Sequence, residues 1–376
     1  MTTDTRTYQG LLDQICGDVI AAEAPVVDRD GAFPERSIRA LGSAGFLGAM
    51  SAPEVGGMGL GLRGAAGIVR RVAQECGSTA MVLCMHYCGA AVLEAHAGEP
   101  VRRAAASGEH LSTLAFSEPA TRSHFWAPAS TARRNGNAVI LNAHKSWVTS
   151  ASRATAYVWS SRPLEAEGLS TIWLVPAGAK GLTVHGPFEG LGLRGNDSSP
   201  VTAESVRVPA TAMLGEDGKG FDLMMGIVLP AFQVLNAACS AGLMEAAVQR
   251  TASHASATRH ADSGSSLADL PTIRAYLARM RLRTDLCCAL LDDTVSALEA
   301  NRPDAMLRVL ESKASAGESA TEVLDLAMRV CGGAAFRKDV AVERYFRDGR
   351  AAGIMAPTTD VLYDFIGKAT CGMPLF

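Results

Sequence analysis

Leu141-Asn142-Ala143-His144-Lys145-Ser146-Trp147-Val148-Thr149-Ser150 is the stretch that decides how this chain folds. It has no helical period. Read as a strand, it places Trp147 and Thr149 on one face, because side chains alternate along extended backbone. It continues Val139-Ile140-Leu141, which follows the hairpin-like turn Asn135-Gly136-Asn137. Similar short runs recur at Tyr157-Val158-Trp159, Thr171-Ile172-Trp173-Leu174-Val175, Leu182-Thr183-Val184 and Ser205-Val206-Arg207-Val208. Gly, Pro, Ser and Asn separate them, so the chain from Leu114 to about Leu214 reads as an antiparallel β domain. Taken alone, an aromatic and a threonine on a strand are ordinary core.

On both sides the period is helical. Before the β region, Leu11, Leu12, Ile15, Val19 and Ile20 fall at helical spacing, and Pro34 opens a segment through Ile38, Leu41 and Phe46. Pro53-Glu54-Val55-Gly56-Gly57-Met58-Gly59-Leu60-Gly61-Leu62 then breaks the pattern. Its glycines are in the wrong order for a phosphate loop and read as a turn between helices. Helix returns over residues 63–98. After Gly218-Lys219-Gly220, the residues Ile273, Leu277, Met280, Thr284, Cys287, Leu291, Val295 and Leu298 form one mainly apolar stripe. A further helix runs through Leu307, Leu310, Ala314, Leu324 and Met328, with Gly332-Gly333 as its stop. The fold class is α+β. A helical domain (1–112) is followed by the β domain (113–215) and a bundle-like helical domain (216–376).

The chain has 376 residues, 48% of them apolar, enough for a large core split over two or three subdomains. A net charge of −3 favours neither nucleic acid nor an anionic membrane. The N-terminus lacks the basic-then-apolar pattern of a signal peptide. No run of 18 consecutive apolar residues occurs, so no transmembrane helix is expected. Nine cysteines are scattered, an odd count that fits reduced thiols in the cytoplasm. Cys84 and Cys88 flank His86, but no second Cys/His pair at ligand spacing accompanies them, and no metal site is expected.

Three blocks, in order along the chain, resemble the acyl-CoA dehydrogenase family. Leu114-Ala115-Phe116-Ser117-Glu118-Pro119, with Ser123 after it, is similar to that family's [TS]-E-P-x-x-G-S-D. There the strand end meets the flavin's pyrimidine edge and the later serine reaches the pyrophosphate. Arg122 stands where the family has glycine and His124 where it has aspartate. Residues 141–150 resemble L-N-G-x-K-x-[WY]-I-T-[NS], which implies that Trp147 packs on the isoalloxazine and Thr149 donates toward its N5. Arg329-Val330-Cys331-Gly332-Gly333 resembles Q-x-x-G-G, and with Thr358 and Asp360 implies contacts to the adenosine diphosphate. A weaker match, Arg259, implies an arginine reaching the flavin of a neighbouring subunit, hence a homodimer or homotetramer.

The third block also carries Glu343-Arg344-Tyr345-Phe346-Arg347-Asp348-Gly349-Arg350, then Ile354-Met355-Ala356-Pro357-Thr358-Thr359-Asp360. The family reads E-R-x-x-R-D-x-[KR], then I-x-E-G-T-x-E, and the first glutamate of E-G-T is its usual base. Here Ala356 replaces that glutamate and Pro357 the glycine. The family's second base position falls at Phe232, and a neighbouring arginine at Gln233. Pro230 lies in the same helix's early turns. Cys331, Tyr363 and His86 are unranked candidates for a displaced base.

The resemblance implies FAD and an acyl-CoA or carrier-protein thioester oxidised at its CH–CH bond, with hydride passing to flavin N5. It also implies an electron acceptor or flavin reductase as partner. The missing glutamate leaves three readings: a dehydrogenase with a displaced base, a flavin monooxygenase on the same scaffold, or a silent flavin-binding paralogue.

Overall fold

Two of the early helices end at a glycine in the left-handed region, Gly31 and Gly108. α6 (Glu99–Ser107) begins with Glu99 and Pro100 and stops at Gly108, whose φ is 83°. Before it come α1 (Thr5–Ile15), α2 (Ala21–Asp30), α3 (Glu35–Ser43), α4 (Gly61–Ala73) and α5 (Gly77–His96). The computed structural model describes residues 5–122 and 124–375. The glycine-rich stretch after Pro53 lies between α3 and α4, as a turn and not a phosphate loop.

Among the described residues eight strands follow: β1 (Ser112–Ala115), β2 (Thr131–Asn135), β3 (Ala138–Val148), β4 (Ala156–Ser161), β5 (Thr171–Pro176), β6 (Leu182–Val184), β7 (Ser199–Pro209) and β8 (Met213–Leu214). They form two four-stranded sheets, ordered β1-β4-β5-β8 and β2-β3-β7-β6. The antiparallel expectation fails at one pairing, because β1 lies parallel to β4. Between these two strands the chain crosses into the other sheet through β2 and β3, and that long connection permits a parallel pair. Val139, Leu141, Tyr157, Trp159, Trp173 and Val201 pack between the sheets as a separate core.

The remaining helices are α7 (Gly220–Leu223), α8 (Leu229–Ala257), α9 (Pro271–Glu299), α10 (Ala305–Cys331), α11 (Val342–Gly349), α12 (Ala351–Ile354) and α13 (Thr359–Thr370). Met224–Val228 forms a π turn just ahead of Pro230, which has no N–H for the regular ladder. On α9 the predicted stripe is buried at Met280, Thr284, Cys287, Leu291 and Val295. α10 ends at Cys331, with Gly332 at φ 55°.

The N- and C-terminal helices share a single core. Val72 of α4, Leu83 of α5, Val234 and Leu243 of α8, Leu291 of α9 and Leu324 of α10 belong to one cluster. The approach of α8 to α4 needs Gly242, since a Cβ there would collide with the Arg70 carbonyl. Gly77–His96 and the helical run Gly220–Ala257 are long and apolar enough to cross a membrane by length and composition alone. Averaging over a window tolerates the polar residues that interrupt a strictly apolar run, and 78% of each window is buried inside the fold.

Candidate functional site

β3 alternates regularly up to Lys145 and then breaks. Its register with β7 shifts between Lys145 and Val148, and Trp147 adopts φ 56°. The extra residue of this bulge falls between Lys145 and Val148. Beyond it Val148 packs into the inter-sheet core, while Trp147 and Thr149 on either side of Val148 both border the same cavity, the shared face expected of them. Trp147 turns outward, 61% exposed, and stacks on Phe188 with ring centroids 4.0 Å apart. Thr149 is buried, its hydroxyl 3.3 Å from that of Ser198.

Lys145 pins the strand just before the bulge. Its Nζ donates to Glu118 Oε1 at 2.6 Å, to Ser160 O at 2.8 Å and to Ser160 Oγ at 3.0 Å. Glu118 also accepts from the N–H of Ala129 at 2.7 Å and of Ser130 at 3.1 Å. Burial works to raise the Glu118 pKa, but Lys145 and these donors outweigh it and hold the carboxyl below its ordinary value. Burial pushes Lys145 the other way, down to about 8, toward the neutral amine. With acceptors on every side of Nζ we assign the pair as charged. Ser146 N donates to Ser117 O at 2.9 Å, so the strand ends that carry Ser117 and Trp147 are tied twice.

Residues 188–198 form the second wall. Gly192 lies so close to the Arg347 backbone that no Cβ fits. Leu193 N donates to Asp348 Oδ1 at 2.6 Å, and Arg347 pairs with Asp28 and Glu343, each at 2.6 Å. These charges of α11 hold the wall in place. Asp348 is fully buried, and desolvation pushes its carboxyl up to about 6 from an ordinary 3.8. A raised carboxyl keeps its proton in the folded state after the unfolded chain has lost it. Stability should therefore fall as pH rises from about 4 through 6, by up to about 3 kcal/mol. Asp348→Asn, which keeps an acceptor for Leu193 N, should flatten that part of a Tm–pH curve. An unchanged slope in the variant would refute the assignment.

The third wall combines the start of α8 with residues 350–356. Behind it, buried Lys313 of α10 donates to Ala352 O and Met355 O at 2.9 Å and to Pro357 O at 2.8 Å. Burial pushes its pKa down to about 7, while the three carbonyls hold the ammonium form. The backbone is thereby fixed on both sides of Ala356.

These walls enclose a cavity of about 710 Å³. Leu114, Phe116, Ser117, Trp147 and Thr149 line it, as do Phe232 and Ala356. Ser123 lies outside the described residues. Arg259, Arg329, Gly332, Gly333, Thr358 and Asp360 are not in the lining. Arg259 instead donates to Gly264 O at 2.9 Å, Arg329 lies over the Tyr276 ring, and Thr358 caps α13. His86, Cys331 and Tyr363 do not reach the cavity either. Burial lowers the His86 pKa to about 4, and its ring nitrogens already face Leu47 O at 3.0 Å and Ser112 N at 3.1 Å.

The lining carries Arg122, Arg194, Arg347 and Arg350 against one carboxylate, Glu118, which is already paired. Arg122 and Arg350 have no carboxylate partner among the described residues. An exposed indole braced by a second ring, hydroxyls at Ser117, Thr149 and Ser198, and unpaired guanidiniums suit a planar aromatic cofactor with an anionic tail.

Sequence reading missed the Glu118–Lys145 tie, the 188–198 wall and Lys313. A signal existed for Lys313: it sits in the helical phase of Val309, Leu310 and Ala314, where a charge is out of place. The wall is loop and has no period to read.

Three domain descriptions match the chain: "Acyl-CoA dehydrogenase, N-terminal domain" over residues 2–105, the middle domain over 113–206 and the C-terminal domain over 218–371. The human mitochondrial short-chain specific acyl-CoA dehydrogenase is 29% identical, covering 94% of this chain and 88% of its own length. The solved butyryl-CoA dehydrogenase of Megasphaera elsdenii superposes with a TM-score of 0.91 at 21% identity, covering 99% of this chain and 100% of its own. The prolyl acyl carrier protein oxidase AnaB superposes with a TM-score of 0.89 at 18% identity, over 98% of this chain and 99% of its own.

Proposed function

The chain belongs to the acyl-CoA dehydrogenase family, whose cofactor is FAD, and from that premise we propose that it oxidises the Cα–Cβ bond of an acyl thioester without the family's usual base. The thioester is carried on coenzyme A or on an acyl carrier protein. FAD, when bound, supplies the two-electron acceptor. Leu114, Phe116, Ser117, Trp147 and Thr149 would hold its ring, and Ser123 with Arg122 its diphosphate. Arg329, Gly332, Gly333, Thr358 and Asp360 would hold the adenosine end, with Arg259 contributed by a neighbouring copy.

That sharing implies a homodimer or homotetramer, and exposed Leu282 and Leu286 on α9 support an interface there. The domains are taken as 1–112, 113–215 and 216–376. Nine unpaired cysteines, eight of them buried, suit a reducing, cytoplasmic setting. The redox partner is an electron acceptor or a flavin reductase.

One observation carries the chemical part of this reading. Dehydrogenation removes a proton from Cα and a hydride from Cβ. Ala356 and Phe232 occupy the family's two base positions, and the described cavity lining holds no unpaired carboxylate. A positioned general base contributes ~10²–10⁴-fold, so turnover of a plain thioester should be slow by about that factor. Mixed anaerobically with butyryl-CoA and no reductant, the flavin-loaded protein is expected to lose its oxidised flavin band slowly. The same observation favours a second reading, monooxygenation, which needs no base at Cα. An unbleached band, with oxygen uptake that depends on a flavin reductase and NAD(P)H, would replace the first reading with the second. Neither response would mark a silent paralogue.

A further inference from the structure

α8 buries two amides within one helical turn of a cavity-lining residue, Phe232. Leu229 and Phe232 line the cavity, and Gln233 and Asn236 continue the same helical stripe. Gln233 has no exposed surface and Asn236 only 1%. Asn236 Nδ2 meets Met355 Sδ at 3.3 Å, and Met355 itself lines the cavity. Neither amide is itself in the cavity lining: Gln233 follows cavity-lining Phe232 directly in the chain, and Asn236 reaches the lining through Met355. Among the described residues Gln233 Nε2, Gln233 Oε1 and Asn236 Oδ1 have no hydrogen-bond partner.

Buried polar groups left unpaired destabilise a fold, and a pocket built for plain alkyl chains has no use for them. Functional sites are where such violations of local consistency persist. The adjoining residue on the floor, Ala356, presents only a methyl group, which leaves room beside the amides. Met355, an unbranched and adaptable side chain, is the group that would yield to a ligand there.

We propose that the inner end of the cavity receives an acyl group bearing a hydroxyl, held by the Gln233 amide and Asn236 Oδ1. A hydroxyl both donates and accepts, which matches two unused acceptors and one unused donor. The inference rests on the thioester reading above and narrows its substrate to polar-substituted acyl groups.

The test is equilibrium binding to the flavin-loaded protein, read by calorimetry and thermal shift. At least one of 3-hydroxybutyryl-CoA and 4-hydroxybutyryl-CoA is expected to bind about tenfold more tightly than butyryl-CoA. Gln233→Leu should erase that preference while the thioester-free protein keeps or raises its Tm. Asn236→Leu should weaken the same preference. Equal binding of all three thioesters to the unaltered protein would overturn the inference but leave the thioester reading standing. So would a preference that survives Gln233→Leu, or a lower Tm in that variant without thioester, which would mark a structural glutamine. Failure of all three to bind would remove the coenzyme A form of the thioester reading and this inference with it.

Discussion

Ala356→Glu combined with Pro357→Gly is expected to speed reduction of the bound flavin by butyryl-CoA by ~10²–10⁴-fold, equivalent to about 3–5 kcal/mol of barrier. The site is prepared for such a graft. Lys313 holds the carbonyls of Met355 and Pro357 on either side, so the Cα of residue 356 is fixed. Ala356 already lines the cavity, and so does Phe232, where the family resemblance implies the second base position. The glycine restores the family's E-G-T, which avoids placing the new carboxylate next to a proline. Single-turnover bleaching measured anaerobically isolates the chemical step from product release. If the double variant binds flavin and butyryl-CoA yet bleaches no faster than the unaltered protein, the cavity does not present Cα to residue 356, and a thioester dehydrogenase is the wrong reading.

Lys145→Met should cost about 3–5 kcal/mol of stability, because it leaves Glu118 buried without its counter-charge. Both side chains are almost wholly enclosed, and the ammonium donates to Glu118, Ser160 and Ser130. Lys145→Met with Glu118→Gln should recover part of the loss, since no naked charge then remains. A denaturant titration of the two singles and the double closes the cycle. The consequence extends to the cofactor. The tie positions Ser117 and the bulge that presents Trp147, so Lys145→Met should also retain less flavin through purification. A single-variant loss below about 1 kcal/mol, or strictly additive singles, would show that the pair is not the anchor described here.

Much of the site was readable as spacing. The three blocks that share a resemblance with one family are each short and local: residues 114–119, 141–150 and the run from Arg329 to Asp360. Leu114, Phe116, Ser117, Trp147 and Thr149 do meet around one cavity. Alanine at residue 356, where the resemblance implies the family's glutamate, is likewise visible in a single line of sequence. One local reading failed for a reason that spacing does not carry. The parallel pairing of β1 with β4 depends on where the intervening hairpin goes. The apolar character of α5 and α8 lies in a windowed average, which a search for uninterrupted runs does not detect.

The linear order of residues by itself determined the α–β–α succession, the helix stops at glycine and the missing carboxylate, because each is a property of a few neighbouring residues. Only the tertiary structure decided that Glu118 meets Lys145, that Asp348 and Arg347 brace the 188–198 wall, and that Gln233 is sealed in with no hydrogen-bond partner among the described residues. Burial and pairing across tens or hundreds of residues depend on which surfaces the fold brings together. A charged or amide side chain looks the same in the sequence whether water or protein surrounds it.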